Sequence, residues 1–237
     1  MNCVVYTTHN VIPLAPGREE RGTIDLKAFA HQLGWLNRLG VRFIPMRDLR
    51  AWLEGKKRIP GKTAVLTFDD ALVSIAEHAF PLLQRHAIPF TIFVIAGFMG
   101  RESNFSKHRP ENRQRHLDGG QLRALIESGL VEIGAHGYAH RNLIRAADDE
   151  LQREMCTAKD QLEETLNVPV PYFAYPWGNT SKVVARKAKD AGYCLAFTTR
   201  KKKLTSRNID PLQLPRVNWG RRANLFKLYK YYLIPWM

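Results

Sequence analysis

Strand-like and helix-like segments alternate along nearly the whole 237-residue chain, and this alternation narrows the fold more than any other feature. Runs rich in β-branched and aromatic residues predict strands over Cys3–Thr7, Thr63–Phe68, Pro89–Ile95, Val131–Gly134, Tyr172–Tyr175 and Tyr193–Thr198. Between them, Leu26, Phe29, Leu33 and Leu36 recur at helical intervals within Asp25–Leu39, with Gly40 placed to end the run. Leu151, Met155, Ala158, Leu162 and Leu166 form one stripe along a long helix over Asp148–Leu166. Shorter helices are expected over Asp48–Leu53, Gln121–Glu127 and Lys182–Ala191. Another is expected over Ala71–Arg85, interrupted at Pro81 because proline starts a turn but does not sit inside one. Repeated β-then-α units predict an α/β fold with mostly parallel strands and helices outside. No Pro/Gly/Ser-rich seam divides the chain, so one domain over residues 1–237 is expected.

Such sheets place their ligand sites at the carboxyl ends of strands. There the TAVLTF run, Thr63–Phe68, leads straight into Asp69 and Asp70, and the run ending VEIGAH delivers His136, with His140 four residues on. Taken singly, each pair has a plain structural reading: a helix N-cap for the aspartates, two surface histidines on one turn for the imidazoles. Together they form a ligand set of one carboxylate and two imidazoles that leaves coordination positions open on a divalent cation. With Asp70, His136 and His140 as ligands, Asp69 is left over as a base for an attacking water. Neighbouring side chains in a strand point to opposite faces, so both aspartates serve one pocket only if the strand breaks there.

Charge and composition bound the partners. The chain is 45% hydrophobic and carries a formal net charge of +14, which favours an anionic ligand or surface. Its basic residues are densest at Arg101–Arg115, Arg200–Lys203 and Arg221–Lys230, without any zinc-finger, basic-zipper or ribonucleoprotein pattern, so nucleic acid is not the expected partner. No run approaches the roughly 18 consecutive apolar residues of a membrane span. The opening MNCVVYTTHNVIPL lacks a basic region, so a cleaved signal peptide is not expected. A cytoplasmic protein, with a membrane-peripheral variant, is the expectation. Cys3, Cys156 and Cys194 are too few and too scattered for a metal knuckle or disulfide framework.

Three motifs carry a family resemblance. TFDD at Thr67–Asp70, GAHGYAH at Gly134–His140 and FAYPWG at Phe173–Gly178 resemble the motifs of the polysaccharide deacetylase family, carbohydrate esterase family four. AFPLLQRHAIPFTIFV and LPRV at Leu214–Val217 extend the likeness over Tyr6 to about Trp219. The resemblance implies a distorted (β/α) barrel and metal-dependent hydrolysis of an acetyl group, N-acetyl first. The substrate it implies is an acetylated amino sugar in a glycan, oligosaccharide or lipid-linked sugar, phosphate-bearing forms included. It makes Asp69 the catalytic base and Asp70, His136 and His140 the ligands of a divalent metal, Zn²⁺ first, with Co²⁺, Ni²⁺ or Mn²⁺ as alternatives. The backbone N–H of Trp177 becomes the oxyanion donor, and Tyr138, Tyr175 and Trp177 offer ring faces to a sugar. Two rivals stay open: a deacetylase-fold amidase acting on a non-sugar C–N bond, and a non-catalytic sugar-binding relative.

The likeness has gaps. Ala71 replaces the usual glycine after the aspartates, and Gly137 replaces the hydroxyl residue that usually orients the second histidine. Ala174 stands where many members place an arginine that holds the catalytic aspartate, which makes Arg216 the candidate substitute. No histidine follows His140, so His9, at the end of the first predicted strand, is the candidate general acid. Gly100–Gly119 reads as a long loop over the catalytic face, where Arg101, Lys107, Arg109, Arg113 and Arg115 could meet a phosphate or carboxylate. The basic, amphipathic segment at about 221–237, with Leu225, Tyr229 and Tyr232 on one side and Arg222, Lys227 and Lys230 elsewhere, is expected to pack as a final helix, its outer face suited to an anionic membrane.

Overall fold

Every pairing within the main eight-stranded sheet is parallel. The computed structural model describes residues 2–15, 22–59, 61–103, 114–207, 209–220 and 224–233. The strand order runs Leu195–Phe197, Tyr172–Ala174, Val131–Ala135, Phe90–Val94, Lys62–Asp69, Asn2–Thr8 and Val217–Asn218. Arg42–Phe43 adds to the amino half of Lys62–Asp69, and Phe90–Val94 pairs with its carboxyl half. The sheet curls until the segment from Leu214 to Asn218 spans its two edges. Leu214 bridges Phe197, and Val217 pairs with Tyr6. The result is a distorted (β/α) barrel.

Two-residue alternation explains why both faces of the strands are apolar. Val5, Val65, Phe93, Tyr172, Ala174, Leu195, Phe197 and Leu214 share the cluster inside the ring with Ile44, Met46, Leu49 and Trp52. Their neighbours Val4, Tyr6, Leu66, Phe68, Ile92, Ile133 and Phe173 turn outward onto the helices. Among these, Leu26–Arg38 is capped by Asp25, whose carboxylate accepts the Ala28 N–H at 3.0 Å, and it buries Phe29, Leu33 and Leu36.

Three segments differ from expectation. The helix anticipated from Ala71 starts late, because Ala71 has φ 56° and cannot be helical; a wide turn over Ile75–Ala79 leads into Phe80–Arg85, with Pro81 in its first turn. The helix over 148–166 keeps its apolar stripe buried but contains a π turn, Arg153–Thr157, where the Ala158 N–H reaches back five residues to Arg153. Within 100–119, Glu102–Ser103 pairs antiparallel with Gln114–Arg115, and Gly119 opens the helix Gly119–Glu127; Lys107, Arg109 and Arg113 lie outside the described residues. The final helix, Leu225–Leu233, packs Leu225, Tyr229 and Tyr232 of the expected stripe against the core and buries Leu228 and Tyr231 as well, with the Tyr6 hydroxyl donating to the Leu228 carbonyl at 2.8 Å and Tyr232 to the Thr63 carbonyl at 2.9 Å. Arg222 lies outside the described residues. Among the described residues no helix is long and apolar enough to cross a membrane.

Candidate metal centre and active site

Asp69 ends its strand, and the chain then takes two left-handed residues, Asp70 at φ 72° and Ala71 at φ 56°. This is the break that lets adjacent carboxylates face one pocket. Non-glycine residues pay about 1–2 kcal/mol each for that conformation, so the surroundings must impose it. They do. Leu117 donates to the Ala71 carbonyl at 2.8 Å, and His116 Nδ1 donates to the Asp70 carbonyl at 2.6 Å. His116 Nε2 is then left to accept from the Ser103 hydroxyl, and burial lowers the His116 pKa, which suits this neutral form.

Across the pocket, His136 follows the Val131–Ala135 strand and is 2% exposed. Its Nδ1 donates to the Ala174 carbonyl at 2.7 Å, which fixes the tautomer and leaves the Nε2 lone pair facing the aspartates. That nitrogen lies 3.7 Å from Asp70 Oδ1 and 3.9 Å from Asp69 Oδ2. His140, held at φ 57°, brings Nε2 to 4.0 Å from Asp70 Oδ1. Burial pushes both imidazoles down to about 4, so they are neutral at pH 7 and present lone pairs.

One ligand atom from each of Asp70, His136 and His140 lies within 4.8 Å of the others. Asp70 Oδ1 is buried and has no hydrogen-bond partner among the described residues. Buried polar atoms rarely go unmatched, and an ionised carboxylate oxygen least of all. A carboxylate oxygen and two neutral imidazole nitrogens so disposed fit a divalent cation.

Asp69 is gripped from the closing segment of the barrel. Arg216 Nη1 and Nη2 donate to its two oxygens at 2.6 and 2.8 Å, and Nη1 also reaches Thr67 Oγ1 at 3.2 Å. Nε donates to the Thr198 carbonyl at 3.3 Å, and the guanidinium lies over the Phe93 ring. Burial raises the Asp69 pKa, but the Arg216 charge, helped by His136, overrides it and holds the carboxyl well below the usual carboxylate range. His9 lies half-buried in the bend between Asn2–Thr8 and Asn10–Ile12, near enough that its charge acts on Asp69, His136 and His140.

The aromatic expectations divide. Trp177, at φ 63°, is 59% exposed and sets its ring edge-on to His140, with centroids 5.0 Å apart. Tyr138 is half-buried with the Arg153 guanidinium over its ring. Tyr175 corrects the expectation: it is 0% exposed, and its hydroxyl is spent on the Leu212 carbonyl at 2.8 Å, so it offers no face to a sugar.

Two residues around the site escaped the sequence reading. His116, which pins the Asp70 turn, sits in a segment without periodicity and gave no signal. Glu154, 2% exposed, accepts backbone N–H groups between the two site histidines. Its signal was available: a carboxylate three residues after Leu151 and four before Ala158 falls on the buried stripe of its helix.

Comparisons with known proteins identify the family and the fold. The sequence pattern of the family described as polysaccharide deacetylase matches residues 56–196, more than half of the chain, a span holding Asp69, Asp70, His136, His140 and Trp177 but not His9 or Arg216. The poly-β-1,6-N-acetyl-D-glucosamine N-deacetylase of Staphylococcus aureus (strain MRSA252) is 23% identical over 203 residues, covering 82% of this chain and 67% of that protein. IcaB from Ammonifex degensii superposes with a TM-score of 0.84 at 27% identity, over 98% of this chain and 97% of that one. The Streptococcus pyogenes deacetylase PplD, solved with acetate, shares the fold with a TM-score of 0.83 at 21% identity, over 98% of each chain. The chain belongs to the polysaccharide deacetylase family, hydrolases that remove acetyl groups from sugars.

Proposed function

We propose that this protein hydrolyses N-acetyl groups of an amino-sugar glycan, with β-1,6-linked N-acetylglucosamine the class to try first, using a divalent cation held by Asp70, His136 and His140. The observation that carries the reading is the pairing of an orphaned, buried Asp70 Oδ1 with an arginine-clamped Asp69 in the same pocket. The name of the Staphylococcus aureus relative supports the sugar and the bond. Two nitrogen ligands and one oxygen favour Zn²⁺ over the harder cations.

When bound, the cation polarises the acetyl carbonyl and lowers the pKa of adjacent water toward about 7. Arg216 keeps Asp69 ionised, ready to take one proton from the attacking water. The water oxygen bonds to the acetyl carbon, and the Trp177 backbone N–H donates to the oxygen that gains charge. The C–N bond then breaks. Its nitrogen leaves as the free amine after accepting a proton from His9, or from Asp69 itself, and acetate is the other product. A His9→Ala variant that kept full activity would assign both proton transfers to Asp69.

The lipid-linked and membrane-peripheral variants draw on the +14 charge and the Leu225–Leu233 helix, whose apolar face is largely spent on the barrel. Phosphate-bearing substrates draw on Arg101 and Arg115, both exposed beside the Asp70 turn.

The test measures metal content and acetate released from N-acetylglucosamine oligomers. Stoichiometric metal, lost in His136→Ala, together with acetate release abolished by Asp69→Asn, is the expected result. Glycan binding without any acetate release would leave a sugar-binding protein, and release from non-sugar amides alone would leave an amidase.

A further inference from the structure

The chain between His136 and His140 has its backbone engaged from two sides. On one side the Gly137 and Tyr138 carbonyls accept from Ala96 and Gly97, just beyond the Phe90–Val94 strand, at 3.0 and 2.8 Å. On the other side stands a single carboxylate. Glu154 Oε2 accepts from Tyr138 N–H at 3.0 Å and from Arg141 N–H at 3.4 Å, and Oε1 accepts from Ala139 N–H at 2.8 Å. An ionised side chain is costly to bury unless donors surround it, and three converging N–H groups supply them.

The fit is close enough to dictate sequence. A Cβ added to Gly137, which has φ 83°, would lie 2.4 Å from Glu154 Oε2. A Cβ on Gly97 would lie 2.5 Å from the Tyr138 carbonyl oxygen. Both flanks of the loop therefore rely on a missing side chain. The loop ends in His140 at φ 57°, a conformation that histidine does not favour unaided. The arginine next to Glu154 lies over Tyr138, its guanidinium carbon 4.5 Å from the ring centre, and covers the loop from outside.

We infer that Glu154 is a positioning residue for the metal centre: through the three N–H groups it holds the 137–141 backbone so that His140 meets Asp70 and His136. The inference rests on the proposed metal site and goes further by assigning the loop's support to a residue on the Asp148–Leu166 helical run. Glu154 does not touch the metal or the substrate. Its effect is on where His140 Nε2 sits.

The test uses metal-stripped full-length protein and Zn²⁺ affinity by titration, beside steady-state acetate release. Glu154→Ala is expected to weaken Zn²⁺ binding ~10–100-fold, the usual effect of losing a supporting partner of a ligand, and Glu154→Gln to fall between it and wild type. At saturating Zn²⁺, kcat should drop with KM nearly unchanged, because the substrate contacts stay in place. Glu163→Gln removes a carboxylate from the same helical run, one that accepts the Val170 N–H at 2.8 Å, and should leave Zn²⁺ affinity at the wild-type value. Near-UV circular dichroism establishes that each variant is folded; if Glu154→Ala is not, Glu154→Gln decides. Wild-type Zn²⁺ affinity in a folded Glu154 variant, or equal weakening in Glu163→Gln, would overturn the inference. Zn²⁺ binding that survives His136→Ala would sink the metal-site reading itself, and this inference with it.

Discussion

Two carboxylates are largely withdrawn from solvent near opposite ends of the barrel strands, and their surroundings drive them in opposite directions. Asp69, the last residue of its strand, shares a buried two-pronged ion pair with Arg216, the side chains 3% and 0% exposed. Glu132, second in the Val131–Ala135 strand, faces Arg47 across 3.2 Å, but that arginine is 60% exposed. Burial raises both groups. At Asp69 the dry guanidinium overrules it and the carboxyl stays ionised, whereas at Glu132 the Arg47 backbone N–H, the Tyr172 hydroxyl and the solvated arginine offset burial only in part, and the pKa ends above its ordinary value. A charge partner governs a buried acid only when the partner is buried too.

The largest expected effect comes from removing the charge at the working end. Asp69→Asn should lower kcat for acetate release by ~10²–10⁴-fold, the range for a lost acid–base group. It should also destabilise the fold, because Arg216 is left buried and unpaired. Removing the partner instead sharpens the contrast. Arg216→Met should cost about 3–5 kcal/mol in urea unfolding, as for a broken buried pair. With the guanidinium gone, the main opposition to burial is lost, so the Asp69 pKa rises and the acid limb of the pH–rate profile moves to higher pH. A profile that stays put would break the comparison.

A third effect belongs to the imidazoles. In metal-stripped protein His136 and His140 titrate at about 4, against 6.5 for the ordinary side chain. Between those values the unfolded chain binds more protons than the folded one, so stability falls as pH drops from about 6.5 toward 4. Thermal melts of the metal-free protein across that window should record the loss, and His136→Ala should flatten it. The smallest effect lies at the other end of the barrel. Glu132→Gln should change stability at pH 7 by less than about 1 kcal/mol, of either sign, since a neutral group already suits that site. A loss there as large as that of Arg216→Met would mean that the two acids are held alike.

Much of this could be read in advance, for reasons that differ by element. The central strands announce themselves because both faces are buried, as in the apolar runs Val4–Tyr6, Val65–Phe68 and Phe90–Val94. Asp69, Asp70, His136 and His140 stood out because two short motifs end predicted strands. What sequence does not encode locally is the left-handed backbone at Asp70, Ala71, His140 and Trp177, none of them glycine. Ala71 in particular is a good helix former, so propensity drew the next helix too early. Tyr175 was misjudged because a motif aromatic can face the rim or the interior, and only the Leu212 carbonyl settles which. The phase of the final helix depends on where Tyr6 and Thr63 offer partners, more than 160 residues away in the chain.

The clasp on Asp69 has a consequence for timing. Asp69, Asp70, His136 and His140 all leave the ribosome well before the strap from Leu214 to Asn218 does, and that strap both seals the ring and carries Arg216. Of the site's named residues, the counter-charge that keeps Asp69 ionised is therefore the last in chain order, and it is set in place by the same pairing that closes the ring.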